Sequence, residues 1–275
     1  YQKEAYWALM KIARQHGGAF LCDGVGLGKT FVGLMLIERL VLHEGKRVVL
    51  FAPKATKEGV WEPHLRDWLP HIGGVGGNAD FSNLAVFSHT DLGRKGEFPA
   101  RFKRIAELAD AVIIDEAHHF RNPGWAGETG KEESRYRKLY RLLDGSVRPK
   151  QLFMLTATPI NNRITDFRHM VELFSRGDES YFAQTLGINN LRAHFSNLEK
   201  ALRSEFGEHE VTESEVVVEA QGLLSASPTF QGLVVQRSRA YAQQSQIRET
   251  GNAAAFPERK PPQVAAYSIR KTYGK

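Results

Sequence analysis

The run Asp23-Gly24-Val25-Gly26-Leu27-Gly28-Lys29-Thr30 places glycines, a lysine and a hydroxyl in the order that phosphate binding requires. Glycines let a backbone turn tightly, so that successive N–H groups converge on phosphate oxygens at a helix N-terminus. Lys29 would then reach the β- and γ-phosphates of a nucleotide, and the Thr30 hydroxyl would ligate Mg²⁺. Asp23 stands where the strict pattern has glycine, so a glycine-rich turn capping a helix is the bland alternative. A second segment, Asp115-Glu116-Ala117-His118, follows the apolar run Val112-Ile113-Ile114. There Asp115 would hold Mg²⁺, usually through water, and Glu116 would orient or deprotonate an attacking water. Taken alone, the two carboxylates could instead open a helix. A third, Thr156-Ala157-Thr158-Pro159, follows Leu152-Phe153-Met154-Leu155 and by itself reads as a turn. Their order, each at the end of a buried strand, joins the three into one reading.

Such segments need a scaffold whose strands end at one edge. The spacing predicts a helix over residues 2–15, closed by His16-Gly17-Gly18, then a short buried strand at Ala19-Phe20-Leu21-Cys22. An apolar helix is expected from Phe31 to His43, and another around Val60 to Trp68. Continuous apolar runs at 48–52, 84–87, 111–115 and 151–155 mark strands covered on both faces. Strands alternating with helices predict an α/β fold: an open, mostly parallel sheet flanked by helices. Residues 122–130 are rich in turn formers and are expected to form a mobile surface loop. After Phe174 the strand rhythm stops, and Leu191, Phe195, Leu198 and Leu202 recur at helical spacing within 189–206.

The 275 residues, 42% hydrophobic and 25% charged, have the composition of a globular protein, without the bias of disorder or collagen. No run of about 18 uncharged apolar residues occurs, so no membrane association is expected. The lone Cys22 excludes an internal disulfide and fits a reducing compartment, cytoplasmic or, in a eukaryote, nuclear. No secretory leader is legible, and an opening Tyr1 in place of Met suggests a trimmed polypeptide. The net charge of +6 is compatible with a polyanionic partner and does not identify one. The adjacent His118 and His119 lack any Cys/His spacing for zinc.

The three segments together resemble superfamily-two helicases, and among them the Swi/Snf-type translocases on double-stranded DNA. Gly26-Leu27-Gly28-Lys29-Thr30 is similar to that family's phosphate loop, in which the residue five before the Gly-Lys pair is also Asp. Asp115 to Asn122 (DEAHHFRN) resembles its Asp-Glu-x-His-x-x-Lys-Asn, with Arg121 for Lys. Leu155 to Asn162 (LTATPINN) resembles its Leu-Thr-Gly/Ala-Thr-Pro-x-x-Asn. The resemblance implies a RecA-like lobe carrying a helical protrusion, with ATP and Mg²⁺ as cofactors. It implies that Gln2 contacts adenine and that residues 24–30 (Gly24, Val25, Gly26, Leu27, Gly28, Lys29, Thr30) bind the phosphates. His118 would link that site to Thr156 and Thr158. Lys54, with Trp61 beyond it, and Ser88 and Thr90 resemble segments that touch the nucleic-acid backbone. Residues 235–239 and 257–260 resemble the exit from the first lobe.

The expected organisation is an ATP-binding lobe over 1–175, a mainly helical protrusion over 176–236, and a return segment and linker over 237–275. The family's second lobe, with its arginine fingers, has no counterpart here. An arginine finger contributes about 10³–10⁵ in turnover, so the lobe alone is expected to bind nucleotide and hydrolyse it poorly. The leading expectation is an ATP-driven translocase on duplex DNA. A DEAH-type RNA helicase, a restriction-enzyme motor subunit and a catalytically silent nucleotide-sensing scaffold remain open, and a small-molecule P-loop kinase leaves Thr156 to Pro159 without a role.

Overall fold

A computed structural model describes residues 1–72, 83–124, 133–144, 149–157, 164–206 and 222–251. Six strands form one sheet: β1 (Gly18–Leu21), β2 (Val48–Ala52), β3 (Leu84–Ser88), β4 (Ala111–Asp115), β5 (Gln151–Leu155) and β6 (Val234–Val235). Their order is β3-β2-β4-β5-β1-β6, and every neighbouring pair is parallel. All strand C-termini therefore share one edge, where ligands bind in open α/β sheets. The strands are continuous apolar runs because both faces are covered. Side chains alternate between two cores: Phe20, Phe51, Ile114 and Met154 enter one, and Leu21, Leu50, Ile113 and Phe153 the other.

The helices used below are α1 (Gln2–His16), α2 (Lys29–Glu38), α3 (Glu62–Trp68), α4 (Phe98–Leu108), α5 (Arg135–Asp144), α6 (Ile164–Ser175), α7 (Leu191–Phe206), α8 (Pro228–Leu233) and α9 (Arg239–Thr250). Apolar residues of α1 and α2 cover one face of the sheet; those of α4 to α7 cover the other. Helix α1 stops at Gly17, whose φ of 79° lies in the left-handed region that glycine adopts without steric cost. Among the described residues, no helix is long and apolar enough to cross a membrane.

The sequence and the structure differ in a few places. The apolar helix after the glycine loop starts two residues earlier, at Lys29, and finishes as a wider π-type turn over Arg39–His43. The chain turns helical directly after Pro53, well before Val60. A sixth strand that the apolar pattern did not mark, β6, pairs with β1 through Phe20↔Val234 and Leu21↔Val235. Helix α7 is present as its periodicity requires. Its fully buried Phe195 packs 6.1 Å from Phe167 of α6, ring centre to ring centre. Burying such a ring contributes about 1.5–3 kcal/mol, so α7 shares the core of the sheet. The turn-rich run 122–130 is described only to Gly124, whose N–H donates to Asn122 Oδ1. Residues 257–269 lie outside the described residues.

Candidate nucleotide site

The glycine loop leaves the end of β1 and turns into α2. Gly26 (φ 84°) and Gly28 (φ 75°) both adopt left-handed backbone, which a residue with a Cβ would resist. A Cβ on Gly26 would meet nothing within 4 Å, and Val25 is 69% exposed, so the tip of the loop is open. A Cβ on Gly28 would stand 2.1 Å from Nε2 of Gln2, which places the Gln2 amide directly over the loop. Gln2 opens α1, so that helix aims its amide. The Lys29 ammonium points into the loop and donates to the carbonyls of Asp23 (2.9 Å) and Gly24 (3.4 Å).

Asp115 ends β4 level with Leu155 of β5, which is itself level with Leu21 of β1. Its carboxylate is buried, accepting from the Trp61 indole N–H at Oδ2 (2.8 Å) and from the Glu116 N–H at Oδ1 (3.0 Å). Burial raises its pKa, opposed by the Trp61 hydrogen bond. Glu116 holds φ 48° and ψ 50°, a left-handed conformation costing a non-glycine residue on the order of 1–3 kcal/mol. That turn brings its Oε2 to 3.1 Å from His118 Nδ1, and the same nitrogen lies 3.2 Å from Thr156 Oγ1. The hydrogen bond from His118 holds the Glu116 carboxyl below the usual glutamate range, against the effect of burial. Thr156 donates its N–H to the Leu21 carbonyl (2.9 Å), at the root of the glycine loop. Glu116, His118 and Thr156 thus form one contact chain between two strand ends. Thr158 lies outside the described residues.

Trp61, beyond Lys54 in sequence, packs inside the lobe and reaches Asp115. It is fully buried, with its ring in a notch where a Cβ on Gly33 would meet Trp61 Cη2 at 2.5 Å. The one sequence hint was a glycine inside an apolar helix, where it costs about 1 kcal/mol relative to alanine. Lys54 is exposed (63%) and faces Glu58 at 4.0 Å. Ser88 points inward: it is buried, shares a hydrogen bond with Thr90 Oγ1 (2.8 Å), and forms a capping box with Asp91 at the start of the His89–Gly93 turn. Thr90 is exposed. Of these three, Lys54 and Thr90 are open to a partner, whereas the Ser88 hydroxyl is engaged in the cap.

Asp23, which breaks the strict glycine pattern, is fully buried and paired with Arg237 just beyond β6. No local pattern marks this pairing, whose partners stand 214 positions apart.

The residues fit a nucleotide with a divalent cation. The open glycine backbone and Lys29 suit phosphate, and the oxygens of Thr30 and Asp115 suit a hard ion such as Mg²⁺. Among the described residues no group of three or more His, Cys, Asp or Glu could hold a metal. Mg²⁺ would therefore depend on phosphate oxygens and water for much of its shell.

The model of the SNF2-related domain matches residues 1–204. The chain belongs to the SNF2-related family. Over 169 residues it is 30% identical to the uncharacterized ATP-dependent helicase YqhH of Bacillus subtilis, spanning 60% of this chain and 28% of that protein. Its fold is that of the SWI2/SNF2 ATPase core of Sulfolobus solfataricus. The core solved in complex with dsDNA matches with a TM-score of 0.55 at 17% identity, over 87% of this chain and 44% of that one. The core domain solved separately matches with a TM-score of 0.54 at 16% identity, over 87% and 43%. This SNF2-related chain thus spans less than half the length of each of these relatives.

Proposed function

We propose that this SNF2-related chain is the ATP-binding first lobe of a DNA-dependent ATPase that moves on double-stranded DNA, working with a second lobe. One observation carries the reading. The glycine loop, the Asp115-Glu116 pair and the His118–Thr156 contact meet at one sheet edge, with the Gln2 amide over Gly28. In this reading Gln2 contacts adenine, and the N–H groups of residues 24–30 with the Lys29 ammonium grip the phosphates. Thr30 and Asp115 would hold Mg²⁺, which would supply charge neutralisation for the phosphates. Glu116 orients water and accepts its proton, and His118 reports that state to Thr156. The dsDNA in the Sulfolobus solfataricus complex supports duplex DNA as the partner. The test is ATP turnover by the full-length protein with duplex DNA, with RNA, and alone. Stimulation by duplex DNA is expected. Stimulation by RNA only would favour an RNA helicase, and no turnover under any condition a silent sensor.

Trp61→Phe isolates the metal contact. Phenylalanine fills much of the Gly33 notch but cannot donate to Asp115. Partners that orient a metal ligand typically contribute 10–100-fold in affinity, so half-maximal ATP binding should need about tenfold more Mg²⁺. ATP affinity in EDTA should stay at the wild-type value. An equal fall with and without Mg²⁺ would show that only packing was lost.

Lys54 is a cation open to a backbone contact, since its exposed pair with Glu58 contributes little. Duplex binding should be independent of sequence and weaken steeply with salt. Lys54→Ala should lower the log–log salt slope of the full-length protein by about 0.9. Identical slopes for variant and wild type would take Lys54 off the track.

A further inference from the structure

Asp23 is 0% exposed, and an ionised carboxylate so placed is costly unless it is fully paired. Arg237 provides that pairing: its backbone N–H donates to Asp23 Oδ1 at 2.9 Å and its Nε to the same oxygen at 3.2 Å. Its Nη2 donates to Oδ2, completing a two-pronged fork. The remaining prong, Nη1, donates to the carbonyl of Tyr1, and the guanidinium lies 5.4 Å over the Tyr1 ring. One side chain therefore ties the root of the glycine loop, the residue before Gln2 and the strand that returns to the sheet. Neighbouring contacts run the same way. Cys22 N–H donates to Val235 O (2.8 Å), Arg239 Nη2 to Val25 O (3.3 Å), and the Tyr241 hydroxyl to Glu4 Oε2 (2.7 Å).

We infer that Arg237 is a positioning residue for nucleotide recognition, setting Gln2 and the glycine loop in register through Tyr1 and Asp23. The inference rests on the ATP-site reading above. It accounts for aspartate where the strict phosphate-loop pattern has glycine: the carboxylate faces Arg237, and its role is to anchor the loop. Lysine cannot replace this arginine, because a point charge on a flexible stem cannot reach both Asp23 oxygens and the Tyr1 carbonyl together. The grip on ATP thereby depends on a segment 214 residues away, at the start of the chain's path out of the sheet.

The test is a double-mutant cycle in ATP affinity, measured by equilibrium titration of wild type, Gln2→Ala, Arg237→Lys and the double variant. Wild-type binding comes first; a folded wild type that does not bind ATP overturns the ATP-site reading itself. Given wild-type binding, each single change should cost about tenfold, and the double variant well short of the hundredfold expected of independent sites. Losses that multiply, or no loss in either single variant, overturn the inference while leaving the ATP site standing. Should Arg237→Lys fail to fold, Asp23→Asn with Arg237→Gln replaces the ion pair by neutral amides. The same cycle with Gln2→Ala then decides by the same criterion.

Discussion

Glu116→Gln in the full-length protein is expected to bind ATP as the wild type does and to turn it over at least about 100-fold more slowly, the usual contribution of general-base catalysis. Glutamine keeps the size of the side chain and an oxygen that can still accept from His118 at the Oε2 position, 3.1 Å away in the native chain. What it loses is the capacity to take a proton from water. The His118 hydrogen bond, which lowers the pKa of the native carboxyl, also fixes where that carboxyl points, as a group that must meet a water would need. The strained backbone at Glu116 argues in the same direction, because a cost of that kind persists where a side chain must be aimed. Binding and single-turnover rate measured together decide it. Wild-type turnover in the variant would leave Glu116 a structural partner of His118 and nothing more.

Lys29→Ala should lower ATP affinity by roughly 100-fold, the equivalent of about 3 kcal/mol for a charged group that hydrogen-bonds phosphate oxygens. In this chain the ammonium rests on the carbonyls of Asp23 and Gly24 at the root of the loop, and the buried Asp23–Arg237 pair that anchors that root stays intact in the variant. The fold should therefore survive, with a thermal midpoint close to the wild type. Titration of the folded variant is the measurement, and unchanged affinity would detach the loop from phosphate binding.

Much of this arrangement was legible in the sequence because its signals are local. Buried parallel strands are continuous apolar runs, and residues 48–52, 111–115 and 151–155 match the strands residue for residue. The loop, the Asp-Glu pair and the threonine segment each follow such a strand, so their convergence came with the topology. What escaped lacks a local signal. The two residues of β6 are too few to show a pattern, and the residues after Pro53 carry no helical periodicity. The left-handed backbone at Glu116 is imposed by tertiary context, since glutamate has no preference for it. Trp61 reads as one more aromatic beside a basic segment until the Gly33 notch draws it beneath Asp115. Ser88 ends a strand, as a backbone-binding hydroxyl would, but Asp91 three residues on makes it a helix cap. The Asp23–Arg237 pair joins residues no sequence window spans.

Hydrogen exchange on the folded chain, with and without saturating MgATP, tests most directly whether nucleotide sits at this edge of the sheet. The expected result is slowed exchange at the amides of residues 24–30 and at the start of α1 around Gln2, with little change at the opposite ends of the strands. Bound MgATP that leaves residues 24–30 unprotected, or protects a different surface, would contradict the assignment of the site.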